Sequence, residues 1–221
     1  MCLLAHGTAF GFFLYEDTIM ETLRNFPGLG SVISLADFDG TELPQMRKFL
    51  GGVRHFRMED IDRGVLPATM YWERWITAVL LMNANATAAL PKRIYLLNTD
   101  AAATPFGAFQ EVDGLAATPE STRLAAFCDP FLPSTGIPQN SAGWFIVAGP
   151  TIAYTAADWN NMTAFAIGDP LTVADEATGR VSKVVTENQV LAYAMEAATA
   201  AADADENLDK WVLARVPWFT Q

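Results

Sequence analysis

Short apolar segments separated by glycine, proline and polar residues run along most of the chain, and the pattern is clearest after residue 142. There "GWFIVAGPTIAYTA" predicts two short strands that are broken at Gly149-Pro150. "FAIGDPLTVADEATGRVSKVV" predicts further strands around two tight turns. "NQVLAYAMEAAT" and "DKWVLARVPWF" are the last apolar segments, and the first of them also has high helix propensity. Many short strands at close spacing predict a small β-sandwich or barrel for residues 140–221.

The preceding part, residues 1–135, is predicted to be a loop-rich α+β region with an N-terminal arm. One amphipathic helix is predicted within residues 14–26, and a second in "TPESTRLAAFC", with Thr118 as the N-cap. "PKRIYLLNTD" predicts a strand. The stretch "DPFLPSTGIPQNSAG" predicts a long surface connection and the boundary between the two domains.

Several aromatic and apolar side chains are candidates for contacts with other proteins. The run "ITAVLLM" after Trp75 is too apolar for a solvated element, so it is predicted to be core or a buried contact with another chain. For the aromatic residues, packing in the chain's own core is the open alternative. The candidate interface residues are Phe10, Phe12, Phe13, Tyr71, Trp72, Trp75, Trp218 and Phe219.

Composition and charge narrow the classes of partner. The chain has 221 residues, of which 51% are hydrophobic and 18% charged, so most of it is expected to fold around a core. A net charge of −11 without a local Lys/Arg cluster argues against a nucleic-acid partner. The apolar run "WITAVLLM" is too short to cross a bilayer, and the first residues lack the basic region of a signal peptide, so no membrane partner is expected.

Few residues suit nucleophilic or metal chemistry. His6 and His55 are the only histidines, and Cys2 and Cys128 are the only cysteines. Neither a catalytic triad nor a zinc site is apparent from so few groups, and the sequence leaves open whether the cysteines bond. We therefore expect no enzyme activity and no cofactor.

One segment supports an alternative hypothesis. "SLADFDGTEL" resembles the first motif of haloacid-dehalogenase-type phosphatases, in which the first Asp is the nucleophile and the second transfers a proton. The resemblance implies Asp37 and Asp39 in these roles, Thr99 holding phosphate, and Asp169 and Asp175 binding Mg²⁺. Glycine and proline between residues 41 and 90 disfavour the required βαβ units, and no Lys lies between residues 94 and 182. Asp and Gly also form ordinary turns, so a turn is the favoured interpretation.

A second resemblance covers more of the chain, at about residues 140–221. The order "GWFIVAGP", "AIGDPLTV", "TGRVSKVV", "VLAYAMEAAT" and "KWVLARV" resembles the small β-domain of capsid decoration, or cement, proteins of tailed bacteriophages. The matching residues are Gly168, Asp169, Pro170, Gly179, Glu196 and Val212. This resemblance implies a structural virion protein on the outer capsid surface, with the major capsid protein as its partner and self-association, typically as a homotrimer.

Overall fold

The computed structural model describes residues 28–35, 49–57, 75–98, 110–116, 125–155, 164–174, 178–184, 190–198 and 209–216. All regular elements in these ranges are β-strands, and no α-helix occurs among them. They are β1 (Val32–Ser34), β2 (Val53–Arg57), β3 (Trp75–Asn83), β4 (Ile94–Leu97), β5 (Glu111–Leu115), β6 (Ala125–Cys128), β7 (Ser141–Tyr154), β8 (Pro170–Val173), β9 (Val181–Lys183), β10 (Ala192–Ala194) and β11 (Asp209–Arg215).

The prediction of a mainly β chain is confirmed, but the α+β character predicted for residues 1–135 is not supported. The helix predicted in "TPESTRLAAFC" is wrong over its last turn, because Ala125–Cys128 form β6, which pairs with β4 and β7. Burial between two strands outweighs the helix propensity of alanine there. The helix predicted within residues 14–26 lies outside the described residues.

The two longest strands are buried on both faces and form the centre of the fold. In β3 only Trp75 is exposed, and Ile76–Asn83 are all buried. In β7 the residues Phe145, Ile146 and Val147 are fully buried, so side chains pointing to both faces of this strand are packed. A strand packed on both sides needs a continuous apolar run. The run at residues 76–82 is therefore core.

Strand pairings close a first ring of five strands. β7 pairs with β3, β3 with β5, β5 with β4, β4 with β6, and β6 returns to β7. The β3–β5 pair is parallel, whereas every other pair of named strands is antiparallel. β2 adds to the edge of β3, and β1 pairs with the start of β7.

A second ring uses the other end of β7. β7 pairs with β11, and the series continues through β10, β8 and β9. The isolated bridge between Thr155 and Val181 then joins β9 to the residue after β7. β7 is thus one continuous strand shared by two rings, and the predicted break at Gly149-Pro150 is wrong. Gly149 has φ +98° and lies close to the backbone of Trp75, so the strand changes partners there without ending.

The connection between β6 and β7 is anchored by buried residues, whereas residues 133–135 and 138–140 are exposed, as predicted for a surface connection. Asp129 and Ile137 are fully buried, and Ile137 forms a backbone bridge with Ala89. Strands from both sides of the predicted boundary pair with β7 and contribute to one cluster of buried residues. The division into domains 1–135 and 140–221 stays a prediction.

Candidate interaction surfaces

The turn before β8 shows how Asp169 is used in the fold. Gly168 has φ +86°, which favours glycine, and its N–H donates to the Ala194 carbonyl at 2.8 Å. One carboxylate oxygen of Asp169 accepts the Ala166 N–H at 2.8 Å and pairs with Lys183 Nζ at 2.6 Å. Asp169 therefore caps the turn and connects it to β9.

Glu196 has a similar structural role near β11. Its carboxylate accepts the Trp211 N–H at 3.1 Å, and the Met195 N–H donates to the Trp211 carbonyl at 3.0 Å. Together these bonds hold the segment after β10 against β11. Val212, the next residue along β11, is fully buried. The residues that carry the resemblance in the second ring thus occupy turn, cap and core positions.

One residue of the phosphatase hypothesis lies in the described part of the chain. Of its acidic residues only Asp169 is described, and its carboxylate already binds a backbone N–H and Lys183. Asp37, Asp39, Thr99 and Asp175 lie outside the described residues. The phosphatase hypothesis requires helices around a parallel sheet, whereas the described ranges contain no α-helix and one parallel strand pair.

Of the histidines and cysteines considered for chemistry, His55 and Cys128 are described, whereas His6 and Cys2 lie outside the described residues. His55 Nδ1 lies 2.9 Å from the Thr77 hydroxyl. Cys128 is a free, fully buried thiol whose pKa is raised well above its usual range, first by burial and then by the nearby Asp129 charge. A buried thiol with a raised pKa is a poor nucleophile. Within the described ranges, no group of three or more His, Cys, Asp or Glu side chains is arranged to hold a metal ion.

One exposed surface, which combines apolar and cationic side chains along the β2–β3 pair, lies on the edge of the first ring. Trp75, at the start of β3, is 53% exposed and lies opposite Arg57 of β2. Val53, at the other end of β2, is 46% exposed. Val53, His55 and Arg57 alternate along β2 and therefore share one face. We call Val53, Arg57 and Trp75 the edge surface. A half-exposed tryptophan beside an arginine is typical of contact sites between proteins.

A second exposed apolar surface lies on the second ring. Tyr193 of β10 faces Leu213 on β11 and Pro170 on β8, and Ile167 at the tip of the turn is 60% exposed. We call Ile167, Pro170, Tyr193 and Leu213 the turn surface. Ala192 and Ala194, on either side of Tyr193, are buried, as expected for a strand with one face toward the core.

The predicted interface residues are only partly described. Trp75 lies in the edge surface, whereas Phe10, Phe12, Phe13, Tyr71, Trp72, Trp218 and Phe219 lie outside the described residues. Val53, Ile167 and Tyr193 are not among the interface residues predicted from the sequence. For Tyr193 the sequence did contain a signal. In a β-type segment, a single aromatic residue between two alanines lies on the opposite face of the sheet from those alanines.

Glu111 provides a test of the core through the pH dependence of stability. Its side chain is 2% exposed, its Oε1 has no hydrogen-bond partner among the described residues, and burial raises the pKa of this carboxyl. A carboxyl whose pKa is higher in the folded protein than in the unfolded chain stabilises the folded protein below its unfolded-state pKa. This stabilisation is lost as the pH rises through the folded-state pKa. We expect Glu111→Gln to remove this loss and to increase the free energy of unfolding at pH 7 by about 1 kcal/mol. Urea unfolding between pH 4 and 8 measures it.

Asp169→Asn is the matched control with the opposite sign. Hydrogen bonding to Lys183 and then to the Ala166 N–H lowers the pKa of Asp169, so its contribution is present at neutral pH and lost on acidification. The two variants should therefore change the pH profile in opposite directions. A wild-type profile in Glu111→Gln would contradict a buried, unpaired Glu111.

Compared with protein-family models, curated proteins and solved structures, the chain has no significant match. Among the described residues, no helix combines the length and the apolar character needed to span a membrane.

Proposed function

We propose that the chain is a structural virion protein that decorates a tailed-phage capsid and stabilises it by bridging neighbouring major-capsid subunits. In this proposal the second ring is the small β-barrel domain expected from the resemblance over residues 140–221, and copies associate as homotrimers on the outer capsid surface. The mechanism requires no reacting group or cofactor. Each bound copy adds contacts that must break before two subunits separate.

The presence of two separate surfaces with exposed apolar side chains carries the proposal. Bridging requires at least two contact surfaces on one protein, and β7 lies between the strands of the edge surface and those of the turn surface in the pairing order. The strands that carry these surfaces are anchored in a buried core. Apolar side chains on such a base release water on binding without a large ordering cost. Their aromatic members, Trp75 and Tyr193, are residue types enriched among interface hot spots.

The test uses capsid shells of the phage that carries this sequence, prepared with its gene deleted. Purified protein should bind these shells saturably and raise their melting temperature. Trp75→Ser and Tyr193→Ser should each weaken binding about tenfold, because each removes an exposed aromatic contact without opening the core. Leu90→Ser is the control, since Leu90 is 41% exposed but belongs to neither surface.

The outcomes separate the proposal from its alternatives. Shells that melt at the same temperature with and without the protein would overturn the stabilising role. Equal loss of binding in Leu90→Ser and Trp75→Ser would show that the edge surface makes no specific contact, and equal loss in Leu90→Ser and Tyr193→Ser would show the same for the turn surface. The mass of the protein in solution, measured by light scattering, tests the homotrimer independently of the shell.

A further inference from the structure

A cluster of cationic side chains lies where the two rings adjoin. The guanidinium carbon of Arg93 lies 3.9 Å from the ring centroid of Tyr154, and that of Arg180 lies 5.1 Å from the same centroid. Lys92 precedes Arg93 in the chain and pairs with Asp209 at the start of β11. The three cations come from the turn before β4 and the turn before β9, so they are distant in sequence and close in space.

Backbone hydrogen bonds fix this arrangement. The Tyr154 N–H donates to the Lys92 carbonyl at 2.9 Å, and the Ile94 N–H donates to the Gly179 carbonyl at 2.8 Å. Arg93 lies between Lys92 and Ile94 in the chain, and Arg180 follows Gly179 directly. These bonds therefore fix the backbone beside both arginines. Lys92 itself has φ 65°, an uncommon conformation for a residue with a side chain. Strained backbone of this kind is often found at ligand-binding sites.

The charges in this cluster are not balanced. The ion pairs Lys92–Asp209 and Lys183–Asp169 include neither Arg93 nor Arg180. Arg93 Nη1 donates to the Thr178 carbonyl at 3.1 Å, whereas Arg180 Nε is buried without a hydrogen-bond partner in the described part of the protein. Burial, followed by the charge of Arg180, lowers the pKa of Arg93. Two positive charges are thus held together although the chain has a net charge of −11.

We propose that Arg93 and Arg180, supported by Tyr154, form a binding site for a phosphate group. A guanidinium presents several N–H donors in a planar fork, which matches the oxygens of a phosphate. A phosphate dianion would neutralise both positive charges. The ring of Tyr154 positions both guanidinium groups by cation–π contact without competing for the anion. This site is independent of the capsid function proposed above.

The test compares the thermal unfolding of the protein in inorganic phosphate and in sodium chloride at equal ionic strength. A ligand at ten times its dissociation constant should raise Tm by about 3 °C for a chain of this size. Arg93→Gln and Arg180→Gln should each abolish the rise. Lys183→Gln, which removes a cation already paired with Asp169, should keep it. Phosphorus NMR of phosphate with the wild-type protein gives a second measurement that needs no variant, because bound phosphate broadens the signal.

A small phosphate monoester forms the second arm of the experiment. Stabilisation by both compounds shows a site for a phosphate group that is borne on a larger molecule, and stabilisation by inorganic phosphate alone shows a site for the free ion. Equal effects of chloride and phosphate would overturn the proposal. So would a phosphate effect that persists in both arginine variants.

Discussion

Gly149→Ala is expected to destabilise the protein by about 3 kcal/mol or more, because two costs combine at this position. Gly149 has φ +98°, where a residue with a Cβ is strained. An added Cβ would also lie 2.2 Å from the Trp75 carbonyl oxygen and 3.0 Å from the Ile76 Cα. Both neighbours are backbone atoms of β3, so relief requires the two central strands to move apart.

Two other glycines make the prediction specific. Gly168 has φ +86° but open space around its Cα, so Gly168→Ala should cost about 1 kcal/mol from conformation alone. Gly114 in β5 has neither a positive φ nor a neighbour within 4 Å, so Gly114→Ala should change stability by less than about 0.5 kcal/mol. Urea unfolding of the three variants should give this order. If Gly149→Ala unfolded at the midpoint of Gly114→Ala, the close approach of β7 and β3 at the junction of the rings would be refuted.

The same glycine illustrates what the sequence could predict. The apolar segments around it were recognisable as strands, because β-branched and aromatic residues between turn signals indicate extended structure. Their continuity was not recognisable, because Gly-Pro ordinarily ends a strand. In this chain Pro150 lies opposite Leu213 within β7, and Gly149 permits the change of partner from β3 to β11. Only the positions of those partner strands reveal that one strand serves both rings.

Long-range pairing also explains the errors in the helix prediction. "TPESTRLAAFC" has a good N-cap and helix-forming alanines, which act locally. Ala125–Cys128 nevertheless form a strand, because Phe127 is fully buried and lies opposite Ile94 on one side and Ile146 on the other. Local propensity is a weak guide where tertiary pairing buries every residue of a segment.

The arginine cluster was harder still to predict from the sequence. Arg93 and Arg180 lie in different turns, and each is an ordinary charged turn residue in the sequence. Their proximity depends on the bond between Ile94 and Gly179, and on a glycine with φ +63° whose added Cβ would lie 2.6 Å from the Ile94 carbonyl oxygen. Periodicity carries no information about such contacts between distant turns.

Asp129→Asn is the second substitution expected to have a large effect, about 2 to 4 kcal/mol. Asp129 is fully buried, and each of its carboxylate oxygens accepts a backbone N–H: Oδ1 from Phe131 at 2.9 Å and Oδ2 from Gly30. An asparagine has the same shape but only one acceptor oxygen, so its NH₂ group would face an N–H donor. One partly buried backbone N–H, of Gly30 or Phe131, would then lose its partner. Asp209→Asn is the control, since the Lys92–Asp209 pair is partly exposed and should contribute less than about 1 kcal/mol.

The part of the protein that loses stability in Asp129→Asn distinguishes the loss of one anchoring hydrogen bond from a general weakening of the core. The Gly30 bond connects the segment before β1 to the connection between β6 and β7, and β1 otherwise pairs only with residues 141–143 of β7 among the described strands. Amide hydrogen exchange in Asp129→Asn should therefore increase first in residues 29–35, before β3 and the rest of β7. If β3 and β1 exchanged together, Asp129 would support the whole core rather than anchor β1.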